Sequence, residues 1–222
     1  MAIQRSILVV EDDPLLRSLL ASKLAADGFM VATAANAAEA KTQAKMVDPD
    51  LAVLDIELGD GPNGLELSQI LSAMNQGIAF VFLTNLPEPK LIGLDSRKIP
   101  KSAAYLQKGR MLDPKLLSEA IEAALREKVG SEFRHDKTAK HQFSALSRSQ
   151  LEVMRLLAAG LSPNQIAEQR GTTVRAVRNL LARALQAAGL SENLEGNARA
   201  LAIREYLKVA GTGQVETKSR SN

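Results

Sequence analysis

The chain has 222 residues, 24% of them charged and 45% hydrophobic, which is the composition of an ordinary soluble protein with room for two compact domains. It contains no cysteine, which excludes disulfides and thiolate metal sites and suits a reducing compartment. Residues 1–129 carry 14 Lys/Arg and 17 Asp/Glu, whereas residues 130–222 carry 14 and 8. The basic second half is therefore the candidate for binding a polyanion.

The sequence offers no candidate for a membrane anchor. The first apolar run stops at Glu11, and no uncharged apolar stretch approaches the roughly 18 residues that a spanning helix requires. We therefore expect a soluble, cytoplasmic protein that is not exported.

Short apolar runs and helical patterns alternate through the first part of the chain. Five runs are predicted as strands: Ile7–Val10, Met30–Ala32, Leu51–Leu54, Ala79–Leu83 and Ala103–Leu106. Amphipathic helices are predicted to begin near Leu15, Asn36, Leu65 and Pro114. Strands separated by helices predict a parallel sheet that is covered on both faces.

Two segments break this alternation. The stretch NLPEPKLIGLDSRKIPKS, between the fourth and fifth strands, holds three prolines and a glycine, so we expect a short or irregular helix there. Residues 130–143 are polar and nearly free of apolar periodicity, which predicts a linker. The predicted organisation is a first domain over 1–129, this linker, a helical domain over 144–210, and a disordered tail over 211–222.

Residues with reactive side chains follow the predicted strands. Glu11 and Asp12 follow the first strand, Asp55 the third, Thr84 the fourth and Lys108 the fifth. The carboxyl ends of parallel strands converge at one edge of a sheet, where carboxylates repel one another unless a cation neutralises them. An all-oxygen ligand set with room for water suits Mg²⁺. The pattern predicts a Mg²⁺ site at which a carboxylate attacks a phosphoryl group.

The loop after Asp55 is rich in glycine, which lets backbone approach a metal closely. The Glu57 backbone carbonyl is therefore a candidate fourth ligand. Taken alone, an aspartate after a strand is most often a turn or cap residue, and Lys108 alone is most often a solvated charge. The prediction depends on four strand ends together.

The motifs VVED, LAVLD, FLT and YLQK, in this order and at these intervals, resemble the receiver domain of two-component response regulators over residues 1 to about 129. The resemblance implies a flavodoxin-like, doubly wound α/β fold with five parallel strands. It makes Asp55 the phosphoacceptor of a sensor histidine kinase and Glu11 and Asp12 the acidic pair serving Mg²⁺. It also makes Thr84 and Tyr105 switch residues and Lys108 the lysine that contacts the phosphate.

Four features depart from the family pattern. The loop after Asp55 is about one residue longer and lacks the usual Met-Pro, Asn85 stands where a small alanine is usual, and Gly109 replaces a proline. The segment from Pro87 to Pro100 replaces a regular fourth helix. These departures bear on kinetics and on the switch surface more than on the chemistry.

The second half has a wholly helical pattern from Leu146 onward. Ser162, Pro163 and Gln165 together predict a helix start with a capping box. Thr173 is predicted to cap the next helix, and the two helices joined by a short turn form a helix-turn-helix pattern. One face of the second helix is polar or small, with Arg175, Arg178, Asn179, Ala182 and Arg183.

A helix of this kind fits the major groove of double-stranded DNA, where Arg pairs with guanine and Asn with adenine. Residues 146–190 also resemble the LuxR/NarL-type output domain, which implies a DNA-binding domain with a further helix, predicted over Asn197–Val209, that can mediate dimerisation. Gln150 departs from the family's usual Glu. For an isolated helix, a row of Arg is more often a solvated face.

The sequence leaves three functional hypotheses. The preferred one is a transcriptional response regulator whose phosphorylation on Asp55 modulates dimerisation and promoter binding. The alternative is a phosphorylation-independent DNA-binding regulator, which Asn85 and the proline-rich segment favour. A phosphatase is weaker, because no second acid or base is positioned to hydrolyse an aspartyl phosphate rapidly. The receiver is therefore expected to promote only its own phosphorylation and slow dephosphorylation.

Overall fold

A computed structural model describes residues 4–110, 113, 115–190 and 198–211. These residues form two compact units that interleave along the chain. The first unit contains the residues up to Asn85 together with Arg97–Thr138, and the second contains Leu86–Ser96 and the described residues from Ala139 onward. Each unit has its own hydrophobic core.

The first unit is built on a five-stranded parallel sheet, as the sequence predicted. Its strands are β1 (Ser6–Val10), β2 (Met30–Ala34), β3 (Leu51–Leu54), β4 (Ala79–Thr84) and β5 (Ala104–Gln107). The spatial order is β2-β1-β3-β4-β5, and every neighbouring pair is parallel. In this doubly wound order the chain reverses direction next to β1, so the carboxyl ends of β1 and β3 lie side by side.

Helices cover both faces of this sheet. They are α1 (Pro14–Ala26), α2 (Ala37–Val47), α3 (Gly64–Met74) and α4 (Lys115–Leu125). Buried side chains of α1 and α4 share one cluster with alternate residues of the strands, such as Val9, Val53 and Leu106. Strand residues between these point to the opposite face, where α2 and α3 pack. Pro114, the predicted start of α4, lies outside the described residues.

The connection between β4 and β5 has no regular helix, as predicted from its prolines. It contains two short 3-10 helices, Pro89–Ile92 and Ser96–Lys98. The predicted domain boundary differs from the structure at this point, because Leu86–Ser96 belongs to the second unit although it lies within residues 1–129. The cause is apolar burial: Leu86 and Leu91 are buried, and Leu91 lies in a hydrophobic cluster of the second unit.

The structure also differs from the predicted linker over residues 130–143. A 3-10 helix at Ser131–Phe133 and the short helix α5 (His135–Thr138) belong to the first unit, whereas residues from Ala139 belong to the second. Phe133 joins the core of the sheet, and the backbone of Arg134 pairs with Tyr105 of β5. The segment therefore covers the edge of β5. Its polar composition gave no indication of this packing.

Apart from the segment Leu86–Ser96, the second unit is built mainly of helices. Its helices are α6 (Arg148–Ala158), α7 (Pro163–Gln169), α8 (Val174–Ala187) and α9 (Ala198–Ala210). The capping box predicted at Ser162 and Gln165 is present, and Thr173 caps α8 by accepting a hydrogen bond from the Ala176 N–H at 3.2 Å. Asn197 and the predicted tail beyond Gly211 lie outside the described residues.

Two clusters hold these helices together. One joins α6, α7 and α8 through Leu156, Ile166 and Val177, and so fixes the helix-turn-helix. The other contains Phe143 and Tyr206, whose rings meet edge to face with centroids 5.5 Å apart. Among the described residues, no helix is both long enough and apolar enough to cross a membrane.

Candidate phosphoacceptor site and nucleic-acid interface

Three carboxylates converge at the carboxyl edge of the sheet. Glu11 and Asp12 follow β1 directly, and Asp55 follows β3. One ligand oxygen from each lies within 4.8 Å of the others, and this trio is the group of potential metal ligands found among the described residues. Glu11 and Asp55 are buried whereas Asp12 is exposed. The three carboxylates that the sequence predicted to converge therefore lie together, and their role as metal ligands stays a prediction.

Lys108 supplies the positive charge of the cluster from the end of β5. Its ammonium lies 2.7 Å from Asp55 Oδ2 and 2.7 Å from Glu11 Oε2. Burial lowers the pKa of this ammonium, but the Asp55 and Glu11 carboxylates outweigh burial and raise the pKa above its ordinary value. Lys108 thus stays charged between two carboxylates.

The cluster has more negative charge than one ammonium can balance. Burial raises the pKa of Glu11, and the nearby Asp55 carboxylate adds to this effect. Burial likewise raises the pKa of the Glu57 side chain to about 7, and the charges of Asp55 and Asp12 act in the same direction. Such a donor set, all oxygen and partly open to solvent, fits a hard divalent cation such as Mg²⁺.

The backbone around Asp55 is tightly constrained. The Glu57 N–H donates to Asp55 Oδ1 at 3.1 Å, which holds one carboxylate oxygen in place. Gly64 begins α3 directly against this backbone, and a Cβ on Gly64 would lie only 2.0 Å from the Asp55 carbonyl oxygen. Glycine is required here by the close approach of two backbone segments, because no larger residue fits.

The two predicted switch residues are both fully buried. Thr84 ends β4 and lies opposite Gln107 in the sheet. Tyr105 lies opposite Phe82, with ring centroids 6.5 Å apart. Their positions on adjacent strands agree with the prediction, whereas their switching role stays a prediction.

The sequence pattern did not predict two contacts at this site. Arg17, on the first turns of α1, donates to the Glu11 carbonyl at 2.6 Å and to the Asp12 carbonyl at 3.2 Å, and so fixes the backbone that carries the acidic pair. The buried His135 accepts the Gln107 N–H on Nδ1 at 3.0 Å, immediately before Lys108. Neither residue stands at a strand end, so the pattern that located the other residues could not locate these.

The helix-turn-helix forms a second candidate site. The residues of α8 predicted to contact DNA are all exposed: Arg175, Arg178, Asn179 and Arg183. Ala182, on the same predicted face, is exposed as well. Thr173, at the exposed N-terminus of the helix, uses its hydroxyl as the cap. The opposite side of α8 is buried through Val177, Ala184 and Leu185, so the helix presents its basic face to solvent.

Residues 7–92 match the family model of the response regulator receiver domain. The chain is similar to receiver domains over this stretch. The strand order and the acidic cluster at the ends of β1 and β3 agree with that match. The match ends at residue 92, within the segment Leu86–Ser96, so the matched stretch continues into the second unit.

Two relatives illustrate what the chain is similar to. The response regulator MtrA of Mycolicibacterium smegmatis is 37% identical over 81 residues, which are 36% of this chain and about a third (35%) of the length of MtrA. The transcriptional activator DevR/DosR of Mycobacterium tuberculosis is 25% identical over 205 residues, which are 85% of this chain and 90% of that protein. The first similarity covers about a third of the chain, and the second is long enough to extend into the helical unit.

A solved structure extends the likeness of fold to nearly the whole chain. RcsB from Salmonella enterica serovar Typhimurium, bound to a promoter, superposes with a TM-score of 0.56 over 92% of this chain and 98% of that chain, at 16% identity. At this identity the likeness establishes the fold alone. The fold class predicted from the sequence, an α/β receiver followed by a small helical domain, is confirmed.

Proposed function

We propose that the chain is a DNA-binding transcriptional response regulator of a two-component system, phosphorylated on Asp55 by a sensor histidine kinase. The observation that carries this proposal is the convergence of Glu11, Asp12 and Asp55 within 4.8 Å, with the Lys108 ammonium 2.7 Å from Asp55. The similarity to DevR/DosR, a DNA-binding transcriptional activator, extends through the helical unit and supports the output activity.

Asp55 is the proposed nucleophile. One of its carboxylate oxygens attacks the phosphorus of a phosphohistidine, an O–P bond forms as the P–N bond breaks, and the imidazole keeps the bonding electron pair. Lys108 and the Thr84 hydroxyl would hold oxygens of the transferred group. Mg²⁺, held by Glu11, Asp12, Asp55 and the Glu57 carbonyl, would neutralise the charge that these carboxylates and the phosphoryl group share.

The proposed regulatory response follows from the same residues. The phosphoryl group would reorganise Thr84 and Tyr105, and a population shift would alter dimerisation and promoter binding. Arg175, Arg178, Asn179 and Arg183 would contact duplex DNA, with Thr173 at the helix N-terminus close to a phosphate. The chain would act on no separate substrate and would lose its own phosphoryl group slowly.

The first test is chemical. The full chain is incubated with Mg²⁺ and acetyl phosphate, and its intact mass is measured beside those of Asp55→Asn and Asp60→Asn. Asp60 is an exposed carboxylate of the same loop and serves as the matched control. We expect one added phosphoryl group in the wild type and in Asp60→Asn but none in Asp55→Asn, whereas an adduct in all three would contradict Asp55 as the acceptor.

The second test concerns DNA. The full chain, with and without phosphodonor, is used to select ligands from a pool of random duplexes, and the affinities of the selected sequences are measured. We expect a specific duplex whose affinity changes on phosphorylation. Specific binding without any adduct at Asp55 would identify a phosphorylation-independent regulator, and the absence of specific binding would reject the output activity.

A further inference from the structure

The segment Leu86–Ser96 joins the two sequence halves in an unexpected way. By sequence, residues up to 92 belong to the receiver, but by packing the whole segment belongs to the helical unit. The chain leaves the first unit after Asn85 and returns to it at Arg97. A part of the receiver sequence is therefore a structural component of the proposed DNA-binding unit.

Leu91 anchors the segment in an apolar core. Its side chain is fully buried in the same cluster as Phe143, Met154 and Tyr206. The Tyr206 hydroxyl donates a hydrogen bond to the Leu91 carbonyl, and both groups are buried. Tyr206 lies on α9, so the segment is tied to the last helix of the unit.

A polar network holds the neighbouring residues. Glu88 lies 2.9 Å from His141 Nε2 through one carboxylate oxygen and 2.7 Å from Lys90 Nζ through the other. Lys90 also donates to the Ser144 carbonyl at 2.8 Å. His141 in turn accepts the Phe143 N–H on Nδ1 at 3.2 Å. These contacts fix the segment to the chain that enters α6 and make its position specific.

The segment is also tied directly to the candidate phosphoacceptor edge. Only Asn85 separates Thr84, the last residue of β4, from the buried Leu86. Because one residue spans less than about 4 Å of extended chain, a displacement of the end of β4 has no loop in which to be absorbed. A displacement of the end of β4 must therefore either move Leu86 as well or be opposed by the contacts that hold Leu91.

We propose that docking of Leu86–Ser96 against α6 and α9 is the element through which the Asp55 site and the DNA-binding face influence each other. This inference rests on the proposed function and adds the route of coupling to it. Two arrangements of the segment, docked and released, would differ in their fit both to a phosphoryl group beside Thr84 and to DNA on α8. A phosphoryl group on Asp55 and a duplex bound to α8 would then each shift the balance between the docked and the released arrangement.

The test measures the coupling ratio, which is the affinity for the selected duplex with phosphodonor relative to that without it, in the full chain. Tyr206→Phe removes the hydroxyl that binds the Leu91 carbonyl but keeps the ring, and Lys90→Gln removes the bridge between Glu88 and Ser144. Lys98→Gln, an exposed lysine of the same connection, is the matched control. We expect the first two variants to move the ratio roughly three- to tenfold towards one, with Lys98→Gln unchanged.

Two further measurements, phosphorylation of each variant and hydrogen exchange, distinguish a wrong coupling route from a wrong proposed function. Each variant must still take one phosphoryl group on Asp55, since none of the changed residues belongs to that site. Hydrogen exchange of residues 86–96 and 198–210 is followed at the same time, and it should change on phosphorylation of the wild type. Unchanged exchange there, or wild-type coupling ratios in Tyr206→Phe and Lys90→Gln, would overturn the coupling route while leaving the proposed function intact.

A different result would remove the proposed function itself. If the wild type takes no phosphoryl group, or if its DNA affinity is the same with and without one, there is no coupling for the segment to carry. Both proposals then fail, and the absence of an effect in the wild type distinguishes this case from the former.

Discussion

At the scale of single residues, the candidate phosphoacceptor site is governed by charge balance. Glu11 and Asp55 share one ammonium, that of Lys108, at 2.7 Å from each. Two carboxylates this close repel each other in a partly desolvated setting, and the lysine ammonium between them offsets part of that repulsion. The same lysine is free to move towards a phosphoryl oxygen, because an ammonium on a flexible stem can exchange partners.

Lys108→Gln is therefore expected to slow transfer without removing the acceptor. We expect the rate of adduct formation at Asp55 from acetyl phosphate to fall by about ten- to a hundredfold, since electrostatic stabilisation of one oxygen is lost. Time courses of intact mass measure the rate. Lys101→Gln, which changes an exposed lysine that precedes β5, should behave as the wild type. Equal rates in both variants would exclude a role for Lys108 in the transfer.

Gly64 gives a second prediction at this scale. Gly64→Ala would place a methyl group 2.0 Å from the Asp55 carbonyl oxygen, so the backbone of one partner must move. We expect a loss of about 1–3 kcal/mol in the free energy of unfolding and slower phosphorylation of Asp55. Urea unfolding measures the first effect. Gly109→Ala meets no atom within 4 Å, so a comparable loss in that variant would refute the steric explanation.

At the scale of elements, the pattern of the sequence predicted those parts that depend on local periodicity and strand ends. It located the five strands, the irregular connection containing Pro89 and the caps at Ser162 and Thr173, because turn and cap chemistry is local. It missed the packing of Leu91 in the second unit and the covering of β5 by Arg134. These contacts depend on which distant surface a short segment meets, and no period in the sequence encodes that choice.

The basic face of α8 is an element-scale property with its own test. Arg178 is exposed on α8 and is expected to contact DNA, whereas Arg126, exposed immediately after α4, is not. Arg178→Ala should weaken binding to the selected duplex by about 1–3 kcal/mol if it contacts a base. If it contacts a phosphate, the dependence of log affinity on log salt should instead become shallower by about one. Arg126→Ala should leave both quantities unchanged, and a similar loss in the two variants would indicate nonspecific charge attraction.

At the scale of the whole molecule, each unit contains one of the two histidines of the chain. His135 and His141 both accept a backbone N–H on Nδ1, from Gln107 and Phe143 respectively, so each is neutral there in this arrangement. Burial lowers the pKa of both imidazoles, and the positive charges of Arg110 near His135 and Lys90 near His141 act in the same direction. Protonation of either imidazole at Nδ1 would break its backbone hydrogen bond.

The sign of the resulting pH dependence is fixed. A histidine whose folded pKa is lowered contributes its full stability above the unfolded pKa of about 6.5, and this stability is lost as the pH falls towards the folded pKa. Glu57, whose pKa is raised to about 7, acts in the opposite sense over the same window. The prediction is therefore made for the difference in stability between the wild type and a variant without the two histidines, and not for the wild type alone.

We expect the double variant His135→Gln, His141→Gln to be less stable than the wild type at pH 7.5, and the gap between them to narrow as the pH falls from about 6.5 to 5. Urea midpoints at several pH values measure the gap. Substitution of an exposed residue, as in Lys137→Gln, should give parallel curves. A gap that widens at low pH would mean that the histidines are charged in the folded protein.

The interleaving of the two units has a further consequence for how such a protein can be recombined. A chimera made at the boundary that the sequence alone indicates, between residues 129 and 144, would separate Leu91 from Phe143 and Tyr206, whose cluster it completes. The transplanted helical unit would carry an unfilled space in its core, and the first unit left behind would expose Leu86 and Leu91. Exchange of output domains, which is simple when each domain is one continuous stretch of chain, would in this protein require the connection between β4 and β5 to be exchanged as well.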